Sequence, residues 1–345
     1  MAEWQSGYAA DCKSVNAGSI PTSASRKKMN ILLTGCAGFI GYHLSRTLLQ
    51  NNKVYGLDNL NDYYEVKLKK DRLSELQQSN NFSFFNEDLK NTISCFEDIH
   101  FDIAINLAAQ AGVRLSHDSN YRYLDSNIIG FHNFMDYCVA KNISKVIIAS
   151  SSSVYGNSCL SPFKETEENL VPASIYASTK LYNENISKIY SDKYNISLAA
   201  LRFFTVYGSF GRPDMAYYSF CKDLYSKRKF TVFNEGKMSR DMTHVDDIVL
   251  GIQKAIAFVM EFNSSNFEIF NLGNANPIST LDLINKLEVI TDKKAIFHFQ
   301  ESLSESSITH ADLNKSKNIL NYFPKILLDD GLKEFHDWFV SYHDI

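Results

Sequence analysis

Asn30-Ile31-Leu32-Leu33-Thr34-Gly35-Cys36-Ala37-Gly38-Phe39-Ile40-Gly41 is the stretch whose reading decides the fold. Its first five residues form a short, mostly apolar run closed by a glycine, the length and boundary of a buried strand. Gly35, Gly38 and Gly41 then stand in a GxxGxxG turn, and residues 39–49 carry the apolar stripe of a helix. Glycines in such a turn let the chain bend sharply and let a ligand approach the backbone. The free N–H groups and dipole of the following helix favour an anion there. A glycine-rich turn can also serve close packing alone, so the surroundings decide. Residues 54–58 read as a second strand, and 103–108 and 145–150 as two more, with helical spacing over 125–140 between these last two. Alternating strands and helices predict a parallel, doubly wound α/β sheet, with all strand C-termini on one edge, where ligands bind.

The rest of the chain narrows the class. It has 345 residues, 45% hydrophobic and 21% charged, with a formal net charge of −4, an ordinary globular composition that excludes a disordered or fibrous chain. No dense Lys/Arg block offers an electrostatic case for nucleic acid or anionic membrane, and the apolar runs fall short of the ~20 residues of a membrane helix. The six cysteines form no CxxC pair and no zinc spacing with histidine, so no metal is expected and a reduced, cytoplasmic protein is. Residues 1–28 are Ser/Ala-rich without apolar periodicity and read as a disordered leader or non-native extension, with Met29 the functional start. Beyond Phe203 the pattern loosens into a smaller lobe: a loop at 207–213, a helix near 215–227 and a strand at 230–233. The helical residues 245–259 and a strand at 267–272 return to the main sheet. His244 and His310 read as packing or solvated histidines, and the 67–72 run as a solvated helix face.

Two clusters carry chemistry. Asp58 ends the second strand, 17 residues after Gly41, where an acid accepts hydrogen bonds from a ribose diol and repels a 2′-phosphate. The glycine turn and this acid together predict NAD rather than NADP. Asp88 is placed to meet the adenine side, and Leu107-Ala108-Ala109-Gln110 offers small residues for close approach to the cofactor. The second cluster is Tyr176-Ala177-Ser178-Thr179-Lys180, a YxxxK whose ends share a helix face. An ammonium one turn from a phenol stabilises the phenolate, letting the tyrosine act as a base near neutral pH. Ser150-Ser151-Ser152-Ser153 follows an apolar strand and so reaches the same edge with hydroxyls to offer.

At this point the chain resembles the extended short-chain dehydrogenase/reductase family, in particular its nucleotide-sugar epimerases of the UDP-glucuronate 4-epimerase type. The stretches that carry the likeness run in family order over most of residues 30–340, among them TGCAGFIG (34–41), NLAAQAGVR (106–114), ASSSSVYG (149–156), SIYASTK (174–180), LRFFTVYGSFGRPDM (201–215) and GKMSRDMTHVDDI (236–248). The resemblance implies a Rossmann-type domain over 29–203, joined by 245–275, and a smaller C-terminal substrate-binding α/β lobe over 204–244 and 276–345. It implies Tyr176 as the proton-shuttling base, Lys180 as its partner, and Ser151 or Ser153 as the assisting hydroxyl. It assigns NAD contacts to Gly35, Gly38, Phe39, Ile40, Gly41, Asp58, Asn59, Asp88, Leu89, Leu107, Ala108, Ala109, Gln110, Asn127, Ser150, Tyr176, Lys180 and Phe204. Arg114, Ser151, Ser152, Ser153, Tyr176, Thr205, Arg212, Asp214, Met215, Phe233 and Arg240 fall to the UDP-sugar.

The implied reaction is C4 epimerisation of UDP-glucuronate to UDP-galacturonate through a 4-keto sugar, in a homodimer paired through helices near 118–140 and 176–194. Related dehydratases and decarboxylases place an acid where Ser153 stands, which argues against elimination. Thr205 stands where neutral-hexose epimerases carry asparagine, and Arg212 can hold a C6 carboxylate bidentately. The competing readings are an epimerase of a UDP-N-acetylhexosamine or its uronate, a UDP-glucuronate decarboxylase, and a non-catalytic NAD-binding sensor.

Overall fold

A computed structural model describes residues 28–91, 93–96, 99–112, 119–157, 159–301 and 307–345. The leader reading of residues 1–28 therefore lies, but for Lys28, outside the described residues, and so does Arg114.

The main sheet is built from β1 (Asn30–Thr34), β2 (Lys53–Asp58), β3 (Phe82–Asn86), β4 (Ile103–Asn106), β5 (Lys145–Ser151), β6 (Ser197–Phe203) and β10 (Asn266–Leu272). Its order is β3-β2-β1-β4-β5-β6-β10, and every neighbouring pair is parallel. The order reverses after β3, next to β1, which puts the glycine turn at the switch point of a doubly wound α/β fold. Period-two alternation fills both faces. Ile31, Leu33, Ile103, Ile105, Ile147, Ala199 and Leu201 pack under α1 (Phe39–Leu48), α2 (Val66–Leu76) and α7 (Val245–Met260). The intervening Leu32, Ala104, Val146, Ile148, Leu198 and Ala200 pack with α4 (Gly130–Ala140) and with Ile186 and Tyr190 of α5 (Ile175–Tyr194).

The helical spacing over 125–140 is split. A short α3 (Tyr121–Tyr123) runs into a π-helical turn, Leu124–Ile129, before α4 begins. The π turn points Asn127 at the backbone of Gln110: Oδ1 accepts the Gln110 N–H at 2.8 Å and Nδ2 donates to its carbonyl at 3.1 Å.

After Phe203 the chain leaves the main sheet with a single residue, Phe204, and enters β7 (Thr205–Tyr207). β7 pairs with β9 (Ser239–His244), which pairs antiparallel with β11 (Pro277–Ser279). β8 (Phe230–Phe233) pairs in parallel with β12 (Phe297–Gln300). α6 (Ala216–Ser226), α8 (Thr280–Thr291) and α10 (Leu328–His343) bury Tyr217, Tyr218, Leu283, Leu287, Phe335 and Phe339 in a second core, and α9 (Asn314–Leu320) seals the end of β10. No helix among the described residues is long and apolar enough to cross a membrane.

Candidate active site

The glycine turn is built for close approach. Gly35 has φ +74°, and a Cβ there would sit 2.7 Å from the Ala108 nitrogen; a Cβ at Gly41 would run into the Gly35 carbonyl. No side chain caps α1, so its first N–H groups face out of the turn. Asp58 is only 8% exposed and holds the turn, Oδ2 accepting the Ala37 N–H at 3.1 Å while Oδ1 accepts Leu60 N–H at 2.9 Å. Burial raises its pKa; the two N–H groups, Lys69 and Arg72 pull it back. Asn59 Nδ2 donates to Asp88 at 3.1 Å, Leu89 is buried against Gly130, and Leu107 and Ala108 bond back to Thr34. A glycine cradle that a Cβ would fill, a bare helix N-terminus and a carboxylate at the tip of β2 fit a dinucleotide.

Three expected cofactor contacts also have partners within the protein. Asn127 divides its amide between Gln110 and Thr179 (Nδ2 to Oγ1, 3.0 Å), so it joins the end of β4 to α5. Ser150 turns its hydroxyl into the protein and donates to Glu184 Oε1 at 2.5 Å. Phe204 packs in the core with Tyr155 and Phe163, ring centroids 6.4 and 6.5 Å away.

α5 begins with Ser174 capping the Ala177 N–H at 3.1 Å, which puts Tyr176 in its first turn. Burial pushes the Tyr176 phenol up; the Arg212 guanidinium and a hydrogen bond with Ser151 pull it down. Ser153 Oγ donates to Ser151 Oγ at 2.9 Å, so the serines form a chain in which Ser151 is the member next to the phenol. Ser152 begins the single 3₁₀ turn that follows β5. Lys180 Nζ lies 5.9 Å from the Tyr176 ring centroid and donates to the Ala149 carbonyl at 2.8 Å. Burial drives the Lys180 pKa down to about 8, against the pull of Glu184.

On the sugar side, Arg212 grips Asp214 bidentately, Nε to Oδ1 at 3.0 Å and Nη2 to Oδ2 at 2.6 Å, and Tyr63 donates to the same Oδ2 at 3.1 Å. Met215 caps α6, Thr205 opens β7, and Phe233 closes β8. Arg240 lies on β9 opposite Ile278 and donates Nη1–H to the Ser239 carbonyl at 2.9 Å.

Several contributors escape the sequence reading. Tyr123 sets its ring tilted against that of Tyr176, centroids 6.1 Å apart, with no local signal. Glu184 had one: it continues the Tyr176/Lys180 spacing by another turn. Arg72 and Lys69 are buried, not a solvated face. Arg72 Nη1 donates to the Ala37 carbonyl at 2.9 Å, and Nη2 to Phe210 and Gly211 carbonyls at 2.6 and 3.2 Å, tying the glycine turn to the loop that carries Arg212. His244, Asp246 and Glu334 bring ligand-type atoms within 4.8 Å of one another. His244 Nδ1 accepts the Asp246 N–H at 3.3 Å, so it caps α7 and Nε2 carries the proton.

The sheet, the glycine cradle and the Tyr176–Lys180 pair are those of a nucleotide-binding oxidoreductase scaffold, and residues 31–273 match the NAD dependent epimerase/dehydratase family. The chain belongs to that family. It is 41% identical over 325 residues to an uncharacterised protein of Methanocaldococcus jannaschii, covering 92% of this chain and 98% of that one. It is 38% identical over 315 residues to the UDP-glucuronate 4-epimerase of Thermodesulfobacterium geofontis, covering 89% and 95%. The crystal structure of the UDP-glucuronic acid 4-epimerase from Bacillus cereus, in complex with UDP-glucuronic acid and NAD, superposes with a TM-score of 0.83 at 33% identity, over 91% of this chain and 100% of that one.

Proposed function

We propose that this protein is an NAD-dependent UDP-glucuronate 4-epimerase, interconverting UDP-glucuronate and UDP-galacturonate. The observation that carries the reading is Arg212, a guanidinium that already holds one carboxylate in a two-pronged grip and whose charge reaches the Tyr176 phenol. A C6 carboxylate beside a reacting C4 hydroxyl needs that arrangement, and it binds by exchanging with Asp214, one carboxylate for another.

NAD, when bound, supplies the hydride acceptor and donor. Tyr176 takes the proton of the C4 hydroxyl, Ser151 steadies the oxygen, and the Lys180 charge supports the phenolate. The same three groups return the proton after the keto sugar has turned its other face. That keto sugar is a β-keto acid and loses CO2 readily; Arg212 and Thr205 hold its carboxylate where C–C cleavage is disfavoured. Residues 29–203 with 245–275 hold NAD, and 204–244 with 276–345 hold the UDP-sugar. The five described cysteines are free, which suits a reducing cytoplasm, where the uronate product feeds polysaccharide biosynthesis. Exposed Leu124, Ile175, Tyr182 and Ile189 along α5 and the π turn support a homodimer through this face.

The test is incubation of the purified protein with UDP-glucuronate, followed by NMR of the sugar. UDP-galacturonate is the expected product; a pentose product or unchanged substrate overturns the reading.

A further inference from the structure

Tyr176, Lys180 and Glu184 stand at i, i+4 and i+8 of α5, one above the next on a single face. Each holds a different residue of the same short stretch of β5. Tyr176 has its phenol next to Ser151, Lys180 donates to the Ala149 carbonyl at 2.8 Å, and Glu184 Oε1 accepts the Ser150 hydroxyl at 2.5 Å. Glu184 is gripped in turn by Arg202, Nε to Oε1 at 2.9 Å and Nη2 to Oε2 at 2.8 Å, with side chains only 3% and 2% exposed. Ser150 and Arg202 are register partners on β5 and β6, so two adjacent strands fix one carboxylate. Arg202 also lies 4.7 Å over the Tyr155 ring, whose hydroxyl donates to Asn271 at 2.7 Å. A buried pair adds little over apolar packing, because desolvation cancels much of its attraction. Its place one turn below a buried lysine calls for another role.

We propose that Glu184 is a positioning residue for Lys180: an anion fixed by Arg202 and Ser150 that keeps the buried lysine an ammonium beneath Tyr176. This rests on Tyr176 and Lys180 as the reacting pair of the proposed function, and not on which sugar turns over. The described groups around Lys180 are Tyr176 and Glu184 on its own helix and, on β5, the Ala149 carbonyl and the serine hydroxyls. Arg202 of β6 stands behind Glu184, while Arg212 and Tyr123 face Tyr176. Glu184 is the anion among them. Burial alone pulls the lysine toward its neutral amine, and Glu184 opposes that pull. Without the carboxylate, the lysine turns to its neutral amine at a lower pH and its part in holding the phenolate is lost there.

The test follows isotope-labelled lysine ε-carbons of the NAD-loaded protein by NMR across pH, with Lys180→Met identifying the Lys180 signal. In Glu184→Gln the Lys180 midpoint falls by about one pH unit, the size an opposite charge at close range gives. The alkaline limb of kcat moves down with it, so that kcat drops about twofold at pH 7 and about tenfold near pH 9. Glu184→Asp restores both. The double variant Glu184→Gln/Arg202→Met leaves no unpaired buried guanidinium and carries the test if the single variant does not fold; its midpoint also falls, by less. A Lys180 midpoint unmoved in both variants, with only the melting temperature lowered, overturns the proposal. The NMR readout needs no turnover, so a wild type inert toward UDP-glucuronate overturns the proposed function and leaves this test standing.

Discussion

Arg212 is the residue on which substrate choice turns. Its planar fork suits a carboxylate, and Asp214 already engages it bidentately. Arg212→Ala is expected to raise KM for UDP-glucuronate at least tenfold, the scale of one lost charge-assisted hydrogen bond. The same variant should divert part of the keto sugar to a pentose product. Product analysis by NMR checks this, and unaltered epimerisation with no pentose removes the clamp. Lys180 offers a second check through stability. Its folded pKa is about 8, against 10.5 in the unfolded chain, so the unfolded state binds more protons between those values and stability from this group rises with pH there. The charge is a deficit below about pH 8 that is relieved as pH climbs to 10.5, worth about 3 kcal/mol at this shift. Wild type should therefore gain on Lys180→Met by roughly that amount across the window, measured by denaturant unfolding, while the variant loses activity at every pH.

Among the elements, β1, α1, β2 and β5 were legible because each carries its own signal: an apolar run of strand length, a glycine turn, or a 3.6-residue stripe. β6 was not, because Ser197-Leu198-Ala199-Ala200-Leu201-Arg202-Phe203 holds alanine and leucine, residues without β preference, and becomes a strand only between β5 and β10. The π turn was equally invisible, since its cause is the distant Gln110 backbone that Asn127 satisfies. In the site, Tyr176, Lys180 and the serine run could be read from spacing, whereas Tyr63 and Tyr123 meet Asp214 and Tyr176 only through the tertiary fold. The glycine turn yields the element-scale prediction. Gly41→Ala places a methyl group against the Gly35 carbonyl, backbone that cannot swing aside. Loss of bound NAD from the purified protein and destabilisation of more than about 2 kcal/mol are expected, checked by cofactor content and thermal melting. An unchanged NAD content would show that the cofactor does not sit on this turn.

For the molecule as a whole, Ile175, Tyr182 and Ile189 recur every seven residues along α5 and stay 46%, 36% and 57% exposed, an apolar seam that a second copy would cover. Ile189→Glu should yield a monomer by light scattering with its secondary structure intact; an unchanged mass would place the contact elsewhere. One interior side chain also ties the glycine turn to the loop that carries Arg212. Arg72 grasps the glycine turn with one nitrogen and the Phe210–Gly211 backbone with the other. Whatever the sugar does to tighten its loop must then tighten the cofactor's seat, and by thermodynamic reciprocity the cofactor repays the sugar by the same factor. Under the proposed function, each ligand thus raises the equilibrium affinity for the other, and the dinucleotide is held hardest when a substrate is aboard.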